Sequence, residues 1–299
     1  MSYIFVCNTG EDCISKVDLK SFTLTKKIPL SSENFSRIGP HGVYQYGKKI
    51  IVANNYSHTI SVVDIEKEKQ IDNFFIGMHC NDVVCVNDEA FVICGETNNL
   101  IIFDLNRNKI IEEIPCGISP HSIEIDREKK YIIVSNMESD TVTLIDILNK
   151  ECIKNINVGF YPTKSIFMPD GEHILVCESN IGGYNKGNIR IIYLKNFTTV
   201  QKITVGNSPV DMCIENKYCY ISNFGDGTIS IIDIKKYKEI GKINVGGMPR
   251  GVKAYKENIY VGDNYNNTLT KVNLIDKTKK VMLIGKEPTG MTLFLSNLE

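Results

Sequence analysis

Apolar and polar positions along the chain alternate in short runs, and no stretch keeps a 3.6-residue period. Residues 49–53 are almost all apolar, which is typical of a strand covered on both faces, whereas residues 59–64 alternate between apolar and polar or β-branched types. Residues 42–46 and 69–74 add two further strand patterns to this unit, and we name the four strands A to D in chain order. The pattern predicts an all-β protein with almost no helix.

A Gly-x-x-Pro step recurs along the chain with degenerate copies at Gly39-Pro40 and at 77–80, where Cys80 replaces the proline. The marker positions are Pro40, Cys80, Pro120, Pro162, Pro209, Pro249 and Pro288. Their separations of 40, 40, 42, 47, 40 and 39 residues match the period of a four-stranded propeller blade. The sequence therefore predicts a seven-bladed β-propeller of four-stranded antiparallel blades.

The two ends of the chain explain how such a ring would close. Residues 1–30 supply strands B, C and D without an A, and residues 289–295 supply an A alone. Pairing them makes the seventh blade and leaves no unfinished sheet edge. We therefore interpret residues 1–299 as a single propeller domain rather than two domains.

Composition and charge narrow the function classes. The chain has 299 residues with 34 Lys+Arg against 35 Asp+Glu, a formal charge of -1, and no long run of one sign, so nucleic acid is not an expected partner. Neither an export signal nor an apolar run near 18 residues is present, so we expect no membrane insertion. Most of the ten cysteines lie inside apolar runs and form no C-x-x-C, which favours a reducing cytoplasm. The sequence does not indicate an oligomeric state.

The ends of strand B carry a recurring sequence, as in residues 3–8 (YIFVCN), 51–54 (IVAN), 133–136 (IVSN) and 220–223 (YISN). These repeats resemble the YVTN class of β-propeller proteins, which is related to surface-layer and lactonase-like propellers. The resemblance covers the whole chain and implies the propeller fold. It leaves function open, because such folds serve as binding modules, scaffolds and enzymes.

The residues that follow each marker proline are expected to face a funnel at the centre of the ring. Most of them are polar, they are mixed in charge, and no single residue type recurs in all seven blades, so a ligand specificity is expected here. The predicted ligand-binding residues are Asn81, Asp82, Lys164, Asp211, Arg250, Asp263 and Tyr184. Lys164 and Arg250 favour a carboxylate or phosphate on the ligand.

Three of the five histidines, His41, His79 and His121, fall in these connections on consecutive blades. Imidazoles converging in one funnel suit a divalent metal such as zinc, so one interpretation makes these three residues a metal site. The other interpretation is a hydrogen-bonding ligand site without metal. No cofactor follows with certainty from the sequence.

A second, weaker resemblance concerns catalysis. Pro40-His41-Gly42-Val43 and Pro120-His121-Ser122-Ile123 are similar to the Pro-His segments of streptogramin lyases, seven-bladed enzymes that open a lactone ring with help from magnesium. The resemblance implies proton transfer by His41 and His121.

Alignment of the repeats predicts that the asparagine at the end of strand B is replaced by Gly95 in blade two, by Glu178 in blade four and by Asp263 in blade six. Glu178 and Asp263 are either hydrated rim residues or carboxylates that serve the funnel, Glu178 as a general base. Blade four also carries a long glycine-rich insertion, residues 178–188. With Tyr184 at its centre, this insertion is either a mobile flap over the funnel or a tolerated surface loop.

Three hypotheses follow for function, and whether the protein is an enzyme stays open. The first is a propeller that binds a small molecule or peptide, with an anionic group, in the top-face funnel. The alternative is a metal-assisted lyase or lactonase with His41, His121 or Glu178 as general acid or base. The third is a rigid scaffold for protein interactions.

Overall fold

The computed structural model describes residues 2–183 and 185–295, and within them every regular element is a β-strand. The strands form seven four-stranded antiparallel sheets, each a blade of one propeller. We number the blades from the first one that is continuous in sequence, and blade seven is the one that contains both ends of the described chain. The predicted all-β, seven-bladed architecture is confirmed.

The strands are short, as expected for blades of about 40 residues. The first three are β1 (Ser2–Asn8), β2 (Cys13–Asp18) and β3 (Thr23–Pro29). Blade one contains β4 (Pro40–Tyr46), β5 (Lys49–Asn54), β6 (Thr59–Asp64) and β7 (Lys69–Phe75). Blade two contains β8 (Cys80–Val86), β9 (Glu89–Cys94), β10 (Asn99–Asp104) and β11 (Lys109–Pro115). Blade three contains β12 (Pro120–Ile125), β13 (Tyr131–Asn136), β14 (Thr141–Asp146) and β15 (Glu151–Asn157).

The remaining blades repeat this plan. Blade four contains β16 (Pro162–Phe167), β17 (His173–Glu178), β18 (Asn188–Tyr193) and β19 (Thr198–Thr204). Blade five contains β20 (Pro209–Glu215), β21 (Tyr218–Asn223), β22 (Thr228–Asp233) and β23 (Lys238–Asn244). Blade six contains β24 (Pro249–Tyr255), β25 (Asn258–Asp263), β26 (Thr268–Asn273) and β27 (Lys279–Leu283), and β28 (Pro288–Leu295) follows.

The ring closes as the sequence predicts. Blade seven has the strand order β28-β1-β2-β3, so the last described strand pairs with the first. Their antiparallel register runs from Ser2 opposite Leu295 to Asn8 opposite Pro288. β1 therefore has a paired strand on each of its edges, which removes an exposed edge that would otherwise invite aggregation.

The core lies between neighbouring blades rather than at the centre of the ring. Strand B supplies most of it: Ile50 to Asn54 in β5 and Ala90 to Cys94 in β9 are buried without interruption. One apolar cluster joins Ile51 and Val62 of blade one to Val83 and Val92 of blade two. Since each strand B packs against a blade on either side, both of its faces are covered, which explains its nearly continuous apolar sequence.

Carboxylates at the end of strand C hold the turn to strand D. Asp64 Oδ1 accepts hydrogen bonds from the backbone N–H groups of Glu66 and Lys67. Equivalent bonds are made by Asp18, Asp104, Asp146, Asp233 and Asn273. These residues therefore have the structural role that an Asx side chain gives to a turn.

The asparagine at the end of strand B links three parts of its blade. Asn223 Nδ2 donates to Thr228 and Ser230 of strand C, and its Oδ1 accepts from the backbone N–H of Gly206 in the loop before strand A. In blade two the residue in this register position is Cys94, which lies opposite Cys80 as Asn223 lies opposite Pro209. The alignment of Gly95 with the asparagine was therefore wrong by one residue.

Strand A of every blade faces the ring axis, and its path is irregular at its start. The register with strand B shifts just after the marker residue, for example between Pro40 and Gly42. This bulge turns the side chain after the proline toward the axis. Among the described residues no helix is present that is long and apolar enough to span a lipid bilayer.

Candidate functional site: the axial funnel

Two cavities lie along the ring axis. The upper one, which we call the funnel, has a volume of about 670 Å³ and opens between the loops of the top face. The lower one, which we call the channel, has a volume of about 190 Å³ and is lined by strand A residues. His41, His121, Arg250 and Thr289 line both cavities. These four residues therefore form the constriction that separates the funnel from the channel.

The side chains after the marker prolines form a belt of hydrogen bonds around this constriction. His41 Nδ1 donates to Asn81 O at 2.8 Å, Asn81 Nδ2 to Pro120 O at 2.8 Å, His121 Nδ1 to Thr163 O at 2.9 Å and Thr163 Oγ1 to Pro209 O at 2.9 Å; Thr289 Oγ1 donates to His41 O at 3.2 Å. Each bond joins one blade to the next. Five of the seven junctions between neighbouring strands A are made in this way.

Strand B and the loop after it supply the other two junctions. Val210 cannot donate, and Ser222 Oγ bonds to Arg250 O in its place. The Arg250 side chain does not reach blade seven, and Asn264 Nδ2 contacts Pro288 O at 3.5 Å instead. The side chains of this ring therefore differ between blades, yet most of them bond to a carbonyl of the next blade. Arg250 is the polar residue of the ring that makes no such bond.

Arg250, His41 and His121 meet at the floor of the funnel. Arg250 Nη2 lies 2.9 Å from His41 Nε2, and the rings of His41 and His121 stack edge to face with centroids 5.8 Å apart. Because a carbonyl oxygen can only accept, the Nδ1 atom of each histidine carries the proton. His41 Nε2 then accepts from Arg250, and the lone pair of His121 Nε2 is left available for a ligand.

The surroundings keep both imidazoles neutral at physiological pH. Burial and the charge of Arg250 hold the pKa of His41 well below its usual range. The same two causes lower the pKa of His121 to about 4. Burial also lowers the pKa of Arg250, although a guanidinium stays charged at any physiological pH. The floor of the funnel is thus a fixed cation beside two neutral rings.

Arg250 has no counter-charge in direct contact. Among residues 2–183 and 185–295, no carboxylate oxygen lies within 4 Å of its guanidinium. The acidic residues Glu96, Glu138 and Glu287 line the funnel, together with the apolar side chains of Ile118 and Met137. The funnel is therefore cationic at its floor and acidic on its walls.

Lys164 lies in the channel below the constriction. Its Nζ contacts Glu124 Oε2 at 3.1 Å and Asp82 Oδ2 at 3.9 Å. Burial by itself would lower the pKa of Lys164, but these carboxylates together with Asp211 raise it. Lys164 is therefore neutralised within the channel, unlike Arg250.

Asp82 and Asp211 connect neighbouring strands A. Asp82 Oδ2 accepts from the Ile123 N–H at 3.3 Å, and Asp211 Oδ2 accepts from the Val252 N–H at 2.9 Å. Burial raises the pKa of Asp82 to about 6 against the opposing charge of Lys164. Both carboxylates line the channel and are used to hold blades together.

The structure corrects the placement of Glu178. Its side chain is 1% exposed and pairs with Arg190 and, at 2.8 Å, with Lys202. Its Oε1 also accepts from the Gly159 N–H, which is the bond that an asparagine makes in other blades. Neither axial cavity is lined by Glu178, so it replaces a structural asparagine and is not positioned as a general base for the funnel.

Asp263 is also misplaced by the sequence interpretation. It accepts from the N–H groups of Met248, Tyr265 and Asn266, and its Oδ2 bonds to the Asn266 side chain. It lines neither axial cavity and caps a loop. Tyr184 lies outside the described residues.

His79 is brought to the funnel wall rather than to its floor. Its Nδ1 lies 3.5 Å from Glu96 Oε1, on a side chain that is 40% exposed. Among the described residues no group of three or more His, Cys, Asp and Glu side chains is arranged to hold a metal ion. The placement of His41, His79 and His121 therefore does not favour a shared metal site.

Three further residues of the site could not be predicted from the type of residue at each sequence position. Asn55, whose Nδ2 donates to Asn81 Oδ1 at 2.6 Å, and Asn264 both follow strand B directly. Ser222 occupies the small-residue position before the strand B asparagine. The signal that could have found Ser222 is the missing donor at Val210, since a belt with seven junctions needs seven donors.

The fold and the site define a class: a seven-bladed β-propeller whose axial funnel carries an arginine, without a carboxylate of the described chain in contact, beside two neutral histidines. Comparison with known proteins supports the fold. No family model matches the chain. A curated relative, Antigen Lp49 of Leptospira interrogans, is 29% identical over 135 residues, and the match spans 41% of this chain and 29% of that protein.

Solved structures resemble most of the chain. Hydrazine synthase from Kuenenia stuttgartiensis superimposes with a TM-score of 0.79 at 18% identity, covering 90% of this chain and 91% of that one. A functionally unknown protein from Desulfotomaculum acetoxidans gives 0.82 at 14% identity, with 97% and 98% covered. Dihydro-heme d1 dehydrogenase NirN gives 0.71 at 12%, with 97% and 74% covered. At these identities the likeness concerns the fold, which is consistent with binding or interaction.

Proposed function

We propose that the protein binds a small molecule or a peptide end that carries a carboxylate, and that the carboxylate pairs with Arg250 at the floor of the funnel. The observation that supports this most directly is the unpaired guanidinium. Arg250 is half-buried and no carboxylate of the described residues contacts it, so its guanidinium has lost hydration without gaining an ion pair, and an anionic ligand offsets that cost. The fork of guanidinium N–H groups suits a carboxylate, which it can hold with two parallel hydrogen bonds.

The neighbours of Arg250 fit this role. His41 accepts one of its N–H groups and so fixes the orientation of the guanidinium, while Asn81 O fixes His41. His121 Nε2 offers an acceptor for a hydroxyl or amine of the ligand. The volume of about 670 Å³ is within the usual range for small-molecule pockets.

The test is a binding screen with small carboxylates, and inorganic phosphate as a comparison anion, followed by titration calorimetry of the best probe. Arg250→Gln should weaken a carboxylate at least about tenfold, since hydrogen bonds to charged groups contribute about 1.5–3 kcal/mol. Arg107→Gln is the matched control, because Arg107 pairs with Asp104 at the end of a strand, away from the funnel. Binding that is unchanged in Arg250→Gln, or no carboxylate binding at all, would contradict the proposal.

A second function is favoured by the available lone pair of His121. With a pKa near 4 this imidazole is unprotonated at neutral pH, so its Nε2 can act as a general base in a transition state, and Arg250 beside it can stabilise a developing oxyanion. This supports a lyase or lactonase reaction in the same funnel. His121→Gln should then abolish turnover of a lactone while ligand affinity falls only modestly, whereas a binding module shows no turnover in either protein.

Beyond the propeller fold, we propose that the protein belongs to the YVTN class of propellers, and the strand B repeats support this. The sequences at 3–8, 51–54 and 220–223 carry it, together with the small residue and the buried asparagine that end each strand. The ten free cysteines, seven of them buried, support a reducing compartment.

A further inference from the structure

The repeat is broken at one pair of facing positions in blade two. In the other six blades the marker proline lies opposite a polar or acidic residue at the end of strand B. These pairs are Pro40–Asn54, Pro120–Asn136, Pro162–Glu178, Pro209–Asn223, Pro249–Asp263 and Pro288–Asn8. In blade two both members are cysteines, Cys80 and Cys94.

The two thiols are in contact. Their Sγ atoms lie 3.9 Å apart, and both side chains are fully buried. Directly opposite residues of an antiparallel pair have Cα atoms about 4.5–5.5 Å apart, which lies within the range that disulfides span. Rotation of the two side chains is therefore enough to bring the sulfurs to bonding distance without separating the strands.

This pair stands out among the ten cysteines. All ten are free thiols, and within the described part of the chain no second Sγ–Sγ hydrogen bond occurs. Cys85, which lies in the same strand as Cys80, faces Ala90 instead. The contact is thus a local property of the facing positions rather than a result of the high cysteine content.

We propose that Cys80 and Cys94 form a reversible redox modification site that closes to a cross-strand disulfide. With a peroxide as oxidant, one thiolate attacks the O–O bond, which leaves a sulfenic acid and releases hydroxide. The second thiol then attacks that sulfur and expels water, so two thiols and one hydrogen peroxide give one disulfide and two waters. A dithiol reductant reverses the change.

The pair lies directly behind the funnel wall. Asn81 and Gly95, which follow the two cysteines in sequence, line the funnel, as does His79. A small oxidant that enters the funnel is therefore separated from the sulfurs by one layer of backbone. The hydrogen bond that the Cys80 thiol shares with Cys94, together with burial, raises the pKa of Cys80, so we expect the oxidation to be slow at neutral pH and faster at higher pH.

Closure would also reach the ligand site. Asn81 O accepts from His41, and His41 accepts from Arg250, so a bond at Cys80 restrains the residue next to it in this chain of contacts. The effect on the ligand site follows from the position of Cys80 next to Asn81. Formation of the disulfide does not depend on the proposed ligand function.

The experiment treats the full-length protein with hydrogen peroxide, alkylates the remaining thiols under denaturing conditions and measures the intact mass. The expected product has lost two hydrogen atoms, has two fewer alkylation sites, and gives a cross-linked peptide that joins the segments of Cys80 and Cys94. Dithiothreitol should restore both sites. Cys94→Ala should lose this product, whereas Cys85→Ala, at a buried cysteine of the same strand, should keep it.

Other results would overturn the proposal. The first is a mass increase from added oxygen in place of the loss of two hydrogen atoms, and the second is a linked peptide that joins other cysteines. The third is that Cys80 and Cys94 both remain fully open to alkylation after eight hours of oxidation at pH about 8.5, which is the unperturbed thiol pKa. The wild-type peptide map decides the matter even if Cys94→Ala fails to fold. A failure here leaves carboxylate binding by Arg250 unaffected, because that is measured on the reduced protein.

Discussion

The ion pairs of the buried Glu178 with Arg190 and Lys202 allow a quantitative test of how the propeller repeat is built. In blade three the corresponding positions hold Asn136 and Thr143, whose side chains hydrogen-bond at 2.8 Å. Arg190 pairs with Val176 as Thr143 pairs with Val134, so it occupies the same register position. Blade four has thus replaced a neutral pair by a charged one at the same place.

The structure sets the expected size of each effect. Glu178→Asn leaves Arg190, whose side chain is 19% exposed, without its carboxylate, and we expect a loss of about 2–3 kcal/mol. Arg190→Ser leaves a carboxylate that is 1% exposed with Lys202 alone as its cation, and we expect a loss of about 3 kcal/mol. The double variant rebuilds the arrangement of the other blades and should lie within about 1 kcal/mol of the wild type.

The assay is urea unfolding followed by circular dichroism and tyrosine fluorescence, since the chain has no tryptophan. The double-mutant cycle should give a coupling of about 4 kcal/mol or more, which is the sum of the two single losses less that of the double variant, with unchanged urea dependence. Because Glu178 is buried, the coupling should change little between low and high salt. Additive losses in the double variant would refute the view that the two charges stabilise each other only as a pair.

Two further outcomes follow from the axial site. The pKa of His121 is about 4 in the folded protein against 6.5 for a free histidine, so the native state binds fewer protons between these pH values and its free energy of unfolding should fall as the pH drops from 6.5 to 4. Thermal unfolding should show a shallower fall with pH in His121→Gln. The same pH dependence in both proteins would contradict the lowered pKa of His121. A Cβ at Gly42 would lie 2.4 Å from the Cα of Asp82, so Gly42→Ala should cost about 1–3 kcal/mol, whereas Gly241→Ala, with no atom within 4 Å of its Cβ, should be neutral in the same urea assay.

Most of the fold could be predicted because the repeat encodes it locally. The marker proline, the buried strand B and the turn aspartate recur with the same spacing, and each has a structural cause visible in the bonds of Pro40, Asn54 and Asp64. The closing blade could be predicted as well, because each chain end lacks the strands that the other supplies. The fold was therefore determined by features that repeat.

The site could be predicted only in part, because side chains that occupy matching sequence positions need not face the same cavity. His41, His121 and Arg250 do converge on the axis, as the strand A interpretation expected. Glu178 and Asp263 do not, because their register position requires an acceptor for a loop N–H group and the carboxylates are used there. The cavity or loop that a side chain faces depends on contacts with neighbouring blades, and these contacts cannot be predicted from the repeat pattern alone.

Variation between repeats therefore has two meanings in this molecule, and the hydrogen-bond belt separates them. His41, Asn81, His121 and Thr163 differ in chemistry but donate to the same kind of carbonyl, so their diversity alone does not indicate a ligand. Arg250 occupies an equivalent position, yet its carbonyl contact has been taken over by Asn264. Arg250 is half-buried and charged, yet it makes no bond between strands A, so the fold does not explain the free energy that its desolvation costs. That cost is the physical reason to look for function at Arg250 first.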